Sequence, residues 1–279
     1  MPAVHLRLLA SEFQVCSNCP DFLSRFATYV PQARQDFALS RCDTLSVTWT
    51  GDEYRIEGGG AQPDFEFDPA STVDAVWRRV FLQAAGLLSD HLFILGGICG
   101  VAEGKGFLVI GPPRSGRTTL AVALALRGYE VSGDDLVLLL DGKAVAWPRR
   151  FLLPEVSVAL LPALANQEAF RSIAAMPRVN VVVPTDPAEL GHAWHIRPVE
   201  PATVVCLEAS FGARSRLRVA QKREAIGRIM PLCAAPTGGR PDWLHDLCRT
   251  VDSASTYVLE LGDIGMACDA LDRAFRSVR

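Results

Sequence analysis

Long apolar runs are missing from this chain, although 49% of its 279 residues are hydrophobic. A membrane-spanning helix needs about 20 consecutive apolar residues, and the most apolar stretch, residues 92–99, is far shorter. No charged segment followed by an apolar run opens the chain, so the sequence predicts no secretory signal. The high apolar fraction excludes a mainly disordered chain, and the composition excludes a collagen-like or disulfide-knotted protein.

An excess of charge of one sign is also missing, because the formal net charge is only -3. A chain of this charge is a poor candidate for binding the phosphate backbone of a nucleic acid or an anionic membrane. The sequence therefore predicts neither partner. Among the basic residues lysine is scarce, with three lysines against 25 arginines. This bias becomes relevant at one motif, where lysine is the expected residue.

Cysteine pairs at metal-ligand spacing are almost absent. Of the eight cysteines, only Cys16 and Cys19 are spaced like zinc ligands, and a zinc site usually needs a second pair or nearby histidines. We expect reduced cysteines, with a redox pair or a metal site as alternatives. Thiols without a pairing pattern, together with the missing secretory signal, predict a cytoplasmic location.

The hydrophobic pattern predicts a small mixed unit over residues 1–69 and a larger α/β domain over residues 70–279. Helices are predicted at 20–30, 71–89, 117–127, 221–230 and 264–278, and Ser71 with Asp74 suggests a capping box for the second of them. Strands are predicted at 5–9, 92–98, 107–110, 129–132, 179–183, 202–208 and 256–261. Two hairpins are predicted, 45–57 around Gly51-Asp52 and 136–147 around Asp141-Gly142. Continuous apolar runs such as 107–110 are typical of strands buried on both faces.

A glycine-bounded loop lies between the apolar segment 107–110 and the Ala/Leu-rich segment 117–127. Its spacing is that of the phosphate-binding loop G-x-x-x-x-G-K-[ST], with arginine at the lysine position. Glycines let the backbone approach a phosphate closely, and the first amides of the following helix point toward it. The residues predicted to bind a nucleotide are Gly111, Pro112, Pro113, Arg114, Ser115, Gly116, Arg117, Thr118 and Thr119. The alternative is an ordinary glycine-rich turn between a strand and a helix.

Two adjacent carboxylates, Asp134 and Asp135, follow the loop by one predicted helix and one predicted strand. Beside a phosphate loop such acids bind Mg²⁺ or accept the proton of an attacking hydroxyl. Thr118 would offer its hydroxyl to the metal. Arg117 keeps the positive charge of the missing lysine, but its guanidinium is larger and planar. Without the phosphate loop upstream, the acidic pair would indicate an ordinary Gly-Asp-Asp turn on the surface.

The segment 107–140 resembles the core of bacterial HPr kinase/phosphorylase and its shorter relatives, which include kinases of lasso-peptide biosynthesis. The pattern shared is a phosphate loop, a helix ending in Arg-Gly, a short strand, an acidic pair and an apolar strand. Weaker similarity continues through 147–149, 204–208 and 257–263. The resemblance implies an α/β phosphate-loop core like the C-terminal domain of HPr kinase, preceded by a small mixed α/β portion.

The same resemblance implies a function and roles for individual residues. The chain is expected to be a kinase that uses ATP and Mg²⁺ to phosphorylate a hydroxyl, on a serine of a peptide or small protein, in peptide natural-product biosynthesis. Asp134 matches the general base, and Thr118 and Asp135 match metal-binding positions. Arg149 matches a basic position that contacts phosphate or substrate, and Arg117 would be an electrostatic clamp.

The sequence allows two alternative functions and gives one expectation about assembly. With arginine at the lysine position, the chain could instead be a nucleotide-binding regulatory or scaffold protein that has lost transfer activity. A kinase of a free small metabolite is a further alternative, because the sequence does not identify the acceptor. The larger relatives form homo-oligomers, so a homo-oligomer is expected by resemblance only.

Overall fold

The computed structural model describes residues 1–234 and 242–277. The chain divides into two compact units, Met1–Ser89 and Asp90–Arg279. The boundary expected from the sequence, after residue 69, lies one helix earlier. The difference arises because the helix that follows residue 69 packs on the first unit. The apolar stripe of this helix predicts that it is half-buried but does not identify the unit against which it packs.

The secondary structure alternates strands and helices throughout the chain. The strands are β1 Ala3–Leu8, β2 Ser11–Ser17, β3 Arg34–Gln35, β4 Arg41–Trp49, β5 Tyr54–Gly58, β6 Asp64–Glu66, β7 Leu92–Leu95, β8 Gly97–Ala102, β9 Lys105–Ile110, β10 Glu130–Gly133, β11 Leu136–Leu140, β12 Lys143–Ala146, β13 Phe151–Pro154, β14 Val182–Thr185, β15 His195–Ile196, β16 Pro201–Ala209, β17 Arg216–Val219, β18 Cys233–Ala234 and β19 Ser255–Leu261. The helices are α1 Pro20–Ala27, α2 Pro69–Gly86, α3 Arg117–Leu126, α4 Glu155–Val158, α5 Pro162–Ala165, α6 Glu168–Ala175, α7 Lys222–Ile229, α8 Trp243–Ser253 and α9 Ile264–Ser277. Two short 3₁₀ turns lie at Pro187–Leu190 and Met230–Leu232.

The first unit is a five-stranded sheet in the order β1-β2-β4-β5-β6, covered by α1 and α2. Aromatic side chains join its layers, with the rings of Phe26 and Trp77 5.4 Å apart. The N-cap of α2 is Asp68, whose carboxylate accepts the amides of Ala70 at 2.9 Å and Ser71 at 3.0 Å. The expected capping box at Ser71 is therefore wrong, because Pro69 already begins the helix and the cap precedes it.

The second unit is built on a six-stranded sheet in the order β10-β8-β9-β16-β19-β17. Strands β9, β16 and β19 are parallel neighbours, and β8, β10 and β17 join the sheet antiparallel. One face packs against α3 and α9, with Phe107 and Leu124 in that core. The other face packs against α7, α8 and a second sheet in the order β12-β11-β7-β18. The unit is a mixed α/β fold, as the alternation of strands and helices predicts.

The buried central strands follow the pattern expected of them. In β9 every residue after Lys105 is buried, because layers cover both faces of the sheet. The apolar segment 92–98, expected to be one strand, forms two, β7 and β8. Gly96 separates them with a φ of +87°, a conformation that sends the chain from one sheet into the other. The strand expected at 179–183 begins three residues later, as β14, because residues 179–180 form a turn. Val278, the last residue expected in α9, lies outside the described residues.

Two further features concern location and redox state. Within residues 1–234 and 242–277, no helix is long and apolar enough to cross a membrane. All eight cysteines are free thiols. In the described part of the chain, no group of three or more histidine, cysteine or acidic side chains is arranged to hold a metal ion.

Candidate functional site

The predicted phosphate loop lies between β9 and α3, at the carboxyl end of the parallel strands. Gly116 is the N-cap of α3 and has a φ of +89°, so the chain turns into the helix through a left-handed residue without a side chain. No side chain caps the first amides of α3. The first amides of a helix have no partner within it, and together with the helix dipole they form an anion-binding position.

Ser115 adds a polar group inside this loop. Its side chain is almost completely buried, and its hydroxyl has no hydrogen-bond partner among the described residues. Buried hydroxyls are normally hydrogen-bonded, so an unpaired one next to free helix amides marks a place for a polar ligand atom. Pro112, Pro113 and Arg114, by contrast, are exposed on the outside of the loop.

The acidic pair follows β10 and reaches the start of α3. The hydroxyl of Thr118 donates to Oδ2 of Asp134 at 2.5 Å, although the two residues lie 16 positions apart in the chain. Asp134 is 6% exposed. The pKa of its carboxyl is raised to about 6, chiefly by burial and also by the Asp135 charge, against the Thr118 hydrogen bond and the charges of Arg149 and Arg117, which lower it. A carboxylate with a raised pKa beside a hydroxyl is suited to accept a proton near neutral pH.

Both predicted basic residues meet Asp135. Arg149 forms an ion pair with its Oδ2 atom, and Nη2 of Arg117 lies 3.9 Å from its Oδ1 atom. Arg117 also donates a hydrogen bond to the carbonyl oxygen of Gly111, at the start of the loop. Burial lowers the pKa of the Arg117 guanidinium, and Asp135 and Asp134 oppose that shift.

The fold therefore brings together Arg117, Thr118, Asp134, Asp135 and Arg149, all of which were predicted from the sequence. Thr119 is different, because its hydroxyl donates to Ser157 of α4 at 2.9 Å and not to the acidic pair.

Sequence reasoning missed Gly96 as part of this site. Its carbonyl accepts the amide of Gly111 at 3.0 Å, and its own amide donates to the carbonyl of Asp135. Gly96 thereby joins the phosphate loop to the acidic pair. The only sequence signal was a glycine pair, Gly96-Gly97, inside an apolar segment.

Glu208 is a second residue near the loop for which the sequence predicts no role. In the parallel register, Cys206 of β16 lies opposite Ile110, so Glu208 follows at the level of the loop. Its carboxylate forms an ion pair with Arg228 of α7. Both members of this pair line a cavity of about 410 Å³, which Gly111 and Pro112 also line and whose walls are mainly apolar.

Comparisons with known proteins give little beyond this geometry. No protein-family model matches the chain, and no curated protein matches it. Among solved structures, the HPr(Ser) kinase/phosphatase from Coxiella burnetii is similar over 66% of this chain and 95% of that chain, with 11% identity and a TM-score of 0.32. Similarity of this degree assigns neither a fold family nor an activity, so the function has to be argued from the residues of the site.

Proposed function

We propose that the chain binds ATP and Mg²⁺ at residues 111–119 and transfers the terminal phosphate to a hydroxyl group. The observation that carries this proposal is the 2.5 Å contact between the Thr118 hydroxyl and the buried Asp134 carboxylate at the uncapped start of α3. Anion-binding amides, a hydroxyl and a proton acceptor lie together there, and these are the groups that phosphoryl transfer uses.

The loop supplies binding for the phosphates. The amides at the start of α3 and the unpaired hydroxyl of Ser115 are donors, and Arg117 contributes a positive charge. A nucleoside triphosphate is an anion with many acceptor oxygens, so donors and cations in one concave loop favour its terminal phosphates.

The donor set also fits Mg²⁺, a hard cation that binds oxygen ligands. Thr118 offers a hydroxyl at the start of α3, and we assign it to the metal. The sequence predicts Asp135 as the accompanying carboxylate, whereas Asp134 is kept for proton transfer. The described residues contain no complete metal cage. This agrees with the usual behaviour of Mg²⁺, which takes one or two protein ligands together with phosphate oxygens and water. The bound metal would neutralise charge on the phosphates.

Asp134 is the proton acceptor in this proposal. The acceptor hydroxyl oxygen forms a bond to the terminal phosphorus, the bond from that phosphorus to the bridging oxygen breaks, and its electron pair stays on the departing ADP. The hydroxyl proton passes to the Asp134 carboxylate, whose pKa of about 6 leaves it ionised at neutral pH. Burial keeps competing water away from the carboxylate, and positioning supplies most of the rate enhancement.

For the acceptor, we extend the proposal to a serine of a peptide or small protein, within peptide natural-product biosynthesis. Its support is the resemblance of residues 107–140 to the short relatives of HPr kinase. The apolar cavity beside Gly111 and Pro112 offers room for an acceptor next to the loop.

The experiment is incubation of the purified chain with γ-labelled ATP, Mg²⁺ and the peptide or small protein encoded beside it. We expect label on a serine of that acceptor. We expect Asp134→Asn to lower the transfer rate by about a hundredfold or more, as general-base loss does. Thr118→Ala should lower the rate as well, because it removes the hydroxyl assigned to the metal. Thr250→Ala is the control for removal of a threonine hydroxyl, because that threonine lies on α8 and donates to the Asp246 carbonyl.

Two outcomes would contradict the kinase proposal or its acceptor. Binding of ATP without transfer of label to any acceptor, or to water, would indicate a regulatory or scaffold protein. Label that appears only on free hydroxyl metabolites, when a cell extract of small molecules replaces the peptide, would refute the peptide acceptor and leave the kinase.

A further inference from the structure

The residue at the lysine position, Arg117, is held on several sides. Its side chain is only 14% exposed. The guanidinium donates to the carbonyl of Gly111 and lies beside the carboxylate of Asp135. A planar guanidinium can reach two acceptors from different nitrogens, whereas lysine must serve both from one.

The backbone of Gly96 leaves the space that this guanidinium occupies. A Cβ atom at residue 96 would lie 1.8 Å from Nη1 of Arg117 and 2.5 Å from the carbonyl oxygen of Gly111. Residue 96 also has a φ of +87°, which side chains rarely adopt. The φ and the nearby Gly111 carbonyl restrict residue 96 to glycine, and the Arg117 guanidinium fills the space that the missing side chain leaves.

Asp135 contacts a second guanidinium at the same time. Its two carboxylate oxygens face different arginines, Oδ1 toward Arg117 and Oδ2 toward Arg149. Two positive charges share one negative charge, so the group retains a net positive charge. Each guanidinium has five N–H donors, and the contacts described here leave donors for a further anion. Arg149 and Asp135 are 41% and 43% exposed, so a ligand can reach them from solvent.

We propose that Arg117, Asp135 and Arg149 form a phosphate clamp that requires arginine, and not lysine, at position 117. In this clamp Asp135 is a positioning residue. Asp135 orients both guanidiniums toward the terminal phosphate of the nucleotide. This inference rests on the proposed function, because it deepens the role of the same loop. It gives Asp135 a role other than the metal ligand expected from the sequence, and the two roles predict different results.

The test measures dissociation constants for a fluorescent ATP analogue and the matching ADP analogue, each with Mg²⁺ and with EDTA. The variants are Asp135→Asn and Arg117→Lys. The controls are Asp252→Asn, an exposed carboxylate on α8, and Arg127→Lys, the same exchange at the other end of α3, where the arginine pairs with Asp269.

We expect both clamp variants to bind the ATP analogue about tenfold to a hundredfold more weakly, the loss that follows removal of a charge-assisted hydrogen bond. The loss should persist in EDTA and be much smaller for the ADP analogue. Removing a carboxylate near an anion ordinarily strengthens binding, so weaker binding by Asp135→Asn reports positioning. Asp135→Glu should restore part of the affinity. The double variant Arg117→Lys/Asp135→Asn should be little worse than either single variant, because both remove one interaction.

Several results would overturn this inference without touching the proposed function. Equal or tighter ATP binding by Arg117→Lys would show that the site tolerates lysine. A loss for Asp135→Asn that appears only with Mg²⁺ would identify a metal ligand, and equal losses for both analogues would indicate a structural role. If the unmodified chain binds neither analogue, the proposed function itself fails.

Discussion

Replacing Asp134 with asparagine is expected to stabilise the folded chain while it lowers the rate of phosphate transfer by about a hundredfold or more. Burial raises the pKa of the carboxyl from its ordinary 3.8 to about 6. A carboxyl that binds its proton more tightly when folded destabilises the folded state once it ionises. Each pH unit of difference corresponds to about 1.4 kcal/mol, so the ionised carboxylate costs about 3 kcal/mol.

The sign of the pH dependence follows from proton binding. Between about pH 4 and pH 6 the folded state holds the Asp134 proton and the unfolded chain does not, so stability from this group decreases as the pH rises. Above the folded pKa both states are ionised and the full cost remains. We therefore expect Asp134→Asn to be more stable than the unmodified chain by about 3 kcal/mol at about pH 8, and by about half of that at about pH 5.

Urea unfolding followed by circular dichroism measures this difference, because stability extrapolates linearly to water. The comparison at each pH cancels the titration of groups that do not interact with Asp134. The amide oxygen of asparagine still accepts the Thr118 hydroxyl, so the contact at the start of α3 is retained. Asp252→Asn, an exposed carboxylate on α8, should change stability little at either pH. A variant that is less stable than the unmodified chain at pH 8, or a difference independent of pH, would refute the reasoning.

Three further predictions follow from the site and its supporting core. The transfer rate should fall about tenfold per pH unit below about 6, because Asp134 must be ionised to accept a proton, and a pH–rate profile that stays flat to pH 5 would contradict its role as the base. Gly116→Ala should weaken ATP binding and destabilise the chain by more than the strain of a left-handed alanine, which is about 1–2 kcal/mol, because its Cβ would also meet neighbouring side chains. Gly212→Ala, at a similar φ with open space around it, should show the strain alone, and equal urea midpoints for the two variants would contradict this expectation. Phe107→Ala removes a fully buried ring from the core under α3 and should lower the free energy of unfolding by about 3–5 kcal/mol, measured in urea. The same change at Phe67, which is 74% exposed, should alter that free energy by at most about 0.5 kcal/mol, and similar losses for the two variants would argue against the packing described.

Local pattern was sufficient where one element determines its own structure. The order strand, loop and helix over residues 105–126 follows from an apolar run, two bounding glycines and an Ala/Leu-rich segment. The hairpin at Asp141-Gly142 is confirmed by the pairing of β11 with β12, because its turn residues favour the required backbone angles.

Local pattern failed where neighbours compete for the same residues. The N-cap of α2 is Asp68 and not Ser71, since Pro69 can occupy only the first turn and thereby moves the start of the helix. The helices α4, α5, α6 and α8 were not predicted. The four-residue helices α4 and α5 are too short to carry a helical period, but length does not explain the other two, because α6 is as long as the predicted α1 and α7, and α8 is longer.

The sequence by itself determined the candidate loop and the acidic pair, since residue type and spacing identify groups that bind phosphate, whereas Arg149 came only from the resemblance to a known family. Only the tertiary structure decided how these groups meet: Thr118 on Asp134, and Arg117 with Arg149 on Asp135. It also decided that the glycine at residue 96 makes room for the Arg117 guanidinium. The physical reason is that burial and side-chain contacts depend on segments far apart in the chain, whereas spacing records only their order.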